Sequence, residues 1–322
     1  MEKYGYEFAA ELFSYYLEAD KIHRLILDCG SFQEYLEMFF KKNHTKSAKV
    51  AWIHYLLVSK FEEAAKGLMT LSNSKEMDNQ ENRELNLSLA KLTAIAAKFK
   101  DPVSPNIMAL EEIAIESENN LVVTRIQNNL FHLVSLFLQG QKSLITLDWF
   151  MKNFVNPAIP LDAVRQEILS YFERFVNEHP LEKEQLVTLL TIIKPVNQFK
   201  QVFADALMVA ALIGNDSTFQ QQASEVWLKL LTTTDDWKSI CLTSETTDMV
   251  NKTRIRETTL FHTLSLVSFN KDIMQMLDRV LQSVEEGNDI ERSPLLQTLY
   301  DLVHNNNLAS WVDSIKAEVR QN

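Results

Sequence analysis

The chain has 322 residues, of which 46% are hydrophobic and 23% charged, and its formal net charge is −11 at pH 7. Only 6 glycines and 7 prolines occur, far fewer than average frequencies of about 7% and 5% would give, and this shortage disfavours phosphate-binding loops, hairpins and dinucleotide-binding turns. The negative charge argues against direct nucleic-acid binding, because basic patches supply most of that affinity. The composition therefore favours a helical protein with short connections.

The first hundred residues are predicted to form consecutive helices. Apolar residues follow helical spacing from Tyr4 onwards, and capping-box patterns at Ser31–Glu34 and Ser59–Glu62 predict the starts of two further helices. The polar stretch from Ser72 to Asn82 predicts a loop. The helix after it is apolar on two opposite faces, one with Leu85, Leu89, Leu92, Ala96 and Phe99 and the other with Leu87, Ala90, Ala94 and Ala97.

A second apolar face implies a second layer of packing. That layer could be more of this chain or another protein. Apolar residues are usually core, so the sequence leaves open which face of this helix is internal and which meets a partner.

The segment Asp101–Pro105 predicts a boundary between a helical block of residues 1–100 and a helical stack of residues 101–322 that could be continuous with it. Beyond the boundary, no segment has the period-2 pattern and hairpin turn of a strand. We predict an all-α fold, an irregular α-helical stack of the α-solenoid kind with no β-sheet. Its later helices are predicted at Leu161–Glu178, Leu181–Ile193, Val196–Ile213, Ser217–Leu231, Thr253–Phe269, Lys271–Val284, Pro294–His304 and Leu308–Arg320.

No catalytic motif occurs, and no two of the seven histidines have metal-ligand spacing. The run Asp235-Asp236-Trp237 lacks the second carboxylate one helical turn on that a magnesium site needs, and it is typical of a helix N-cap with a buried tryptophan. We therefore predict no catalytic residues, no metal ligands, no cofactor and no small-molecule substrate. No apolar run approaches the ~18 residues of a membrane span, and Glu2, Glu7 and Glu11 are untypical of a signal peptide.

Three segments carry a family resemblance: the Ala51–His54 turn, the Glu63–Leu71 helix with its central alanines and paired leucines, and the Leu87–Leu92 run LSLAKL. Together with Asp235-Asp236-Trp237 they resemble the C-terminal helical domain of the nucleoporin 133/155 family, in a fungal form. The resemblance implies a structural scaffold subunit of the nuclear pore complex at the nuclear envelope. Such a subunit supports pore assembly, mRNA export and protein transport.

The resemblance also implies a protein partner. In that family the helical tail is tethered to the C-terminal helices of nucleoporin 107, nucleoporin 84 in fungi, within the Y-shaped subcomplex. The family's membrane-sensing β-propeller lies outside these residues, so no membrane contact is expected of this fragment. We predict that the docking surface is contained in Trp52, Ile53, Leu68, Leu71, Leu85, Leu87 and Leu89.

Two other function classes share some of these features. A helical-repeat adaptor or vesicle-coat-like interaction protein would have the same composition, charge and helix pairing. An all-α enzyme would need convergent carboxylates or histidines in a polar pocket.

Overall fold

A computed structural model describes residues 5–73, 80–102, 105–159, 161–214, 216–234, 236–238, 240, 254–286, 299–301 and 308–321. These residues are helical apart from turns and one isolated β-bridge between Val155 and Ile193. The prediction of an all-α stack without a β-sheet is confirmed. The chain divides into two compact units, Met1–Arg125 and Ile126–Asn322. The boundary between the helical blocks 1–100 and 101–322 stays a prediction.

The first unit has two packed groups of helices. In the first group, Phe13, Leu25, Leu36 and Phe39 are buried together, and the rings of Phe13 and Phe39 meet edge to face with centroids 5.4 Å apart. The helices of this unit are α1 Gly5–Glu18, α2 Ile22–Cys29, α3 Gln33–Lys42, α4 His44–Leu57, α5 Phe61–Ser72, α6 Gln80–Lys100 and the start of α7 Ile107–Leu136, with a 3₁₀ turn at Gly30–Phe32. In the second group, alanine side chains of α5 and α6 let these two helices pack closely against each other and against α7.

The second unit contains the rest of α7 and a succession of shorter helices around an aromatic core. The rings of Phe150, Phe172 and Phe175 lie within 5.5–6.4 Å of one another in this core, and the Phe131 ring lies 5.6 Å from that of Phe175. The helices are α8 Leu147–Phe154, α9 Leu161–Val176, α10 Lys183–Ile192, α11 Val202–Ala211, α12 Asp216–Thr233, α13 Thr259–Val267, α14 Lys271–Glu285 and α15 Leu308–Gln321, with 3₁₀ turns at Lys142–Leu144 and Asn197–Phe199.

One predicted helix, Val196–Ile213, is divided in the structure. A 3₁₀ turn at Asn197–Phe199 precedes α11, which begins at Val202. Pro195 disfavours helical geometry at the residue before it, and the amide of Lys194 instead donates to the carbonyl of Phe154 over 2.8 Å. The turn places the Phe199 ring in the core. The predicted helix Pro294–His304 lies mostly outside the described residues.

Several helices end on residues other than glycine in the left-handed conformation. Asp20, Ser59, Gln139 and Glu178 have φ between 50° and 60°. At Ser59 the next amide, of Lys60, donates back to the carbonyl of Tyr55 over 2.7 Å, which is the Schellman pattern that closes a helix. Because the chain has only 6 glycines, other residues adopt the left-handed conformation at these four helix ends. This conformation strains the backbone of a residue with a Cβ, and the surrounding packing compensates for the strain.

The run Asp235-Asp236-Trp237 joins two parts of the second unit. The Trp237 ring is fully buried, and its indole N–H donates to the Thr234 hydroxyl over 3.0 Å, so the predicted burial is confirmed. Asp236 caps a helix that is distant in the sequence. Its carboxylate accepts from the amide and hydroxyl of Thr259, the first residue of α13, at 2.6 and 2.7 Å. Asp235 lies outside the described residues.

Candidate partner-docking site

Helix α6 packs between α5 and α7 through one of its two apolar faces. Leu87, Ala90, Ala94 and Ala97 on this face are all buried. Leu87 and Ala90 contact Leu68 and Met69 of α5 together with Leu121 of α7, while Ala94 and Ala97 contact Ala65 of α5 and Leu110 of α7. The alanine row allows close approach of the three helices. This face of α6 is therefore internal.

The opposite face of α6 is largely exposed. Leu85, Leu92 and Phe99 are 56%, 62% and 82% exposed, and Leu89 and Ala96 between them are half-buried. Leu89 also packs against the edge of the internal cluster. These five residues alternate at spacings of four and three, the spacing of a seven-residue helix repeat. At a rise of about 1.5 Å per residue the row is about 21 Å long. We call these five residues the leucine stripe.

Three ion pairs connect the flank of α6 to α7. The Arg125 Nε–Glu84 Oε2 distance is 3.5 Å and the Lys91 Nζ–Glu118 Oε1 distance is 3.0 Å, and Lys98 pairs with Glu111. The paired residues are seven positions apart on each helix, and their order along α7 is the reverse of that along α6. The three pairs therefore fix the antiparallel register of the two helices. The side chains are about one third or more exposed, and such pairs contribute at most about 1 kcal/mol each. Their main effect is on alignment.

A second exposed apolar row lies on α7 on the other side of this ion-pair ladder. Met108 and Ile115 are exposed and seven residues apart, each three residues before a ladder glutamate. The ladder therefore has an apolar row on either side. Met108, Ile115 and the ladder are not among the predicted site residues. The signal that would have found them is the matched seven-residue spacing of opposite charges in two successive helices.

The seven residues predicted for docking do not form one surface. Leu68, Leu71 and Leu87 are buried. Leu68 and Leu87 belong to one cluster with Met69, Ala90 and Leu121, because the alanine face of α6 turns inward and carries Leu87 with it. These three side chains are therefore not exposed in the folded unit. Of the other four, Leu85 is exposed, and Trp52, Ile53 and Leu89 are half-buried. The docking role of the seven residues stays a prediction.

Charged groups also hold the two helix groups of the first unit together. Both Glu37 oxygens lie 2.7 Å from Lys60 Nζ, which ties α3 to the start of α5. Burial acts to raise the pKa of Glu37, but hydrogen bonds from Lys60 and Gln33 outweigh it and lower the pKa. The His54 ring is buried next to this pair and contacts the rings of Phe40 and Tyr55. Burial lowers the pKa of His54 below 6.5.

We expect His54 to make the first unit less stable in mild acid. Because its pKa is lower in the folded state, the unfolded chain binds more protons, so this contribution is complete above pH 6.5 and decreases as the pH falls below it. Glu37 acts only at lower pH, below about 4.5, as its lowered pKa is approached. Urea unfolding between roughly pH 5 and 8 measures the effect. His54→Gln should flatten the profile, and the exposed His23→Gln should leave its slope unchanged. An unaltered slope in His54→Gln would contradict the assignment.

Among the described residues, no helix is both long and apolar enough to cross a membrane. No group of three His, Cys, Asp or Glu side chains in the same ranges is placed to hold a metal ion. The prominent surface features of the first unit are apolar helix faces. The described part of the chain is thus an all-helical protein with an exposed apolar helix face.

Comparison with known proteins gives the family. The model of the non-repetitive/WGA-negative nucleoporin C-terminal family matches residues 1–321, so the chain belongs to that family. The chain is 28% identical to nucleoporin NUP133 of Saccharomyces cerevisiae over 120 residues, 36% of this chain and 10% of that protein. It is 19% identical to nucleoporin nup132 of Schizosaccharomyces pombe over 276 residues, 84% of this chain and 23% of that protein. No solved structure matches the chain.

The chain therefore spans less than a quarter of the length of these curated relatives. As a member of a nucleoporin family it is a structural component of the nuclear pore complex at the nuclear envelope. The family is structural and not an enzyme family. Family membership favours the pore scaffold over the adaptor or vesicle-coat alternative.

Proposed function

We propose that the chain is the helical tail of a pore scaffold nucleoporin and that it tethers a neighbouring subunit through α6. The proposed neighbour is a nucleoporin 107/84-like protein of the Y-shaped subcomplex, which would present its C-terminal helices. The observation that carries the proposal is the leucine stripe, an apolar row on a helix whose other face is already filled by its own unit. In this role the chain supports pore assembly, mRNA export and protein transport by mechanical connection.

The geometry suits a partner helix laid along α6. The leucine stripe and the α7 row with Met108 and Ile115 flank the ion-pair ladder, so a helix with its own apolar stripe could contact both rows. The α6–α7 pair is already held in register, so docking requires little ordering of this chain, which lowers the cost of binding. A stable joint needs roughly 800 Å² on each partner. Leu85, Leu89, Leu92 and Phe99 are the proposed contacts, with Trp52 and Ile53 of α4 from the predicted set.

The matched variants Leu92→Glu and Leu27→Glu test this proposal. Leu92 lies in the leucine stripe, and Leu27 is 76% exposed on α2 of the same unit. We expect Leu92→Glu to weaken binding of the partner's C-terminal helices at least about tenfold, because a carboxylate would be desolvated at the centre of the joint. Leu27→Glu should bind like the parent chain.

Isothermal titration with each folded variant measures the difference. Circular dichroism and the denaturation midpoint confirm that both variants remain folded. If Leu92→Glu keeps full affinity, or if Leu27→Glu loses as much, the docking surface is not the leucine stripe.

A further inference from the structure

A second apolar surface lies on the second unit, at the end of α7. Phe137 is 55% exposed, yet its ring is packed edge to face on Phe154, with centroids 5.0 Å apart, and stacked on Phe199 at 6.1 Å. The half-buried Trp149 ring meets Phe154 at 5.2 Å. Val196, one turn before Phe199, is also exposed. We call Phe137, Trp149 and Val196 the aromatic patch.

The aromatic patch is rigid although it is exposed. Phe154 and Phe199 beneath it are almost fully buried. The backbone is tied at the same place, since the amide of Lys194 donates to the carbonyl of Phe154 over 2.8 Å. Two aromatic rings are therefore held in place at the surface by two buried ones. Such preformed aromatic surfaces are typical of anchor sites in protein interfaces.

The two chain segments that build the aromatic patch carry a net charge opposite in sign to that of the whole chain. The segments 136–159 and 194–200, which build the patch, contain four lysines and one aspartate, whereas the net charge of the chain is −11. The aspartate, Asp148, pairs with Arg165 at 2.5 Å. Lys152 and Lys194 are exposed, and within the described part of the chain neither has a carboxylate at ion-pair distance. Lys152 and Lys194 are thus two exposed cations on the segments that build the patch, with no ion-pair partner among the described residues.

We propose that the aromatic patch binds an acidic peptide segment that carries an aromatic or leucine anchor. The anchor would pack on Phe137 and Trp149, and the acidic residues around it would face Lys152 and Lys194. Charge complementarity of this kind speeds encounter and excludes basic segments. Two exposed lysines, Lys152 and Lys194, are fewer than the roughly four to eight clustered basic residues typical of anionic-lipid recognition, so the observations favour a peptide over a membrane surface.

Fluorescence anisotropy with short labelled peptides and the full 322-residue chain tests this proposal. The probe is an Asp/Glu-rich peptide with two phenylalanines, and its matched controls carry Ala for Phe or Lys for Asp/Glu. We expect saturable binding of the probe only, weakened by added salt because the charges of the two lysines are screened. Phe137→Ser should weaken it at least about tenfold.

Because Phe137 also packs on Phe154 and Phe199, its replacement could reduce binding by disturbing the fold. A second variant that leaves the rings unchanged tests the lysine charges separately. The double variant Lys152→Glu/Lys194→Glu leaves the rings in place and should lose probe binding to a similar extent. The matched controls Phe269→Ser and Lys271→Glu change exposed residues at the α13–α14 connection of the same unit and should bind normally. Equal binding of the Ala-for-Phe peptide, equal loss in the controls, or binding of anionic vesicles without binding of the probe would overturn the proposal.

Discussion

Replacing Leu87 with glutamate is expected to unfold the first unit, whereas the same change at Leu92 is expected to leave it folded. The Leu87 side chain is fully buried among α5, α6 and α7 and contacts the cluster that contains Leu68, Met69 and Leu121. A carboxylate at this position would lose its water without gaining a described partner, and it would also leave an apolar gap. The combined cost is several kcal/mol, which is a large share of the stability of a single domain.

Urea denaturation followed by circular dichroism measures this difference. Leu92→Glu should shift the free energy of unfolding by no more than about 0.5 kcal/mol, since its site is open to water. The pair of variants therefore separates the two faces of α6 without a partner present. A folded Leu87→Glu chain of parental stability would mean that the alanine face of α6 is not internal.

The second large effect is expected at Trp227, which connects α12 to α14 in the second unit. Its ring is fully buried, and its indole N–H donates to the carbonyl of Ile273 over 3.1 Å. Trp227→Ala removes both the buried area and the hydrogen bond, and should destabilise the unit by about 3–5 kcal/mol. Trp227→Phe keeps most of the apolar contact and should cost less, about 1–3 kcal/mol.

Phe269→Ala is the matched control, because this ring is among the most exposed in the same unit. Its free energy of unfolding should differ from the parent by no more than about 0.5 kcal/mol. The comparison is made from denaturant midpoints at constant pH. If Trp227→Ala and Phe269→Ala shift the midpoint equally, α12 and α14 are not joined through this indole.

Helix class and approximate extent could be predicted from the sequence, because apolar spacing reports the helical period directly. The two faces of α6 were both recognised in this way. Which of the two faces is internal depends on how well its side chains fit against helices that are distant in the sequence. Alanine at positions 90, 94 and 97 lets α5 and α7 approach α6, and no pattern within α6 alone reveals that neighbours of the right shape exist. The same limit explains why Leu68, Leu71 and Leu87 were grouped with Leu85.

Local capping was harder to predict. The Ser31 and Ser59 patterns do not form capping boxes. The N-cap of α3 is Phe32 and that of α5 is Lys60, and neither of these N-cap residues makes a side-chain capping hydrogen bond. Ser59 is used instead to end α4, at φ 60°. A capping box does form at Glu182 and Gln185, at the start of the helix predicted for Leu181–Ile193. Short polar motifs fit either end of a helix, and the backbone path decides between them.

The central claim is that the leucine stripe of α6 contacts the neighbouring subunit. Site-specific photocrosslinking with the reactive residue placed at position 92 or at position 27 tests it most directly, in assembled complexes. Both side chains are exposed in the free chain, so neither is favoured by accessibility. A crosslink from position 92 to the C-terminal helices of the nucleoporin 107/84-like subunit, with none from position 27, is the predicted result. A crosslink from position 27 alone would contradict the claim.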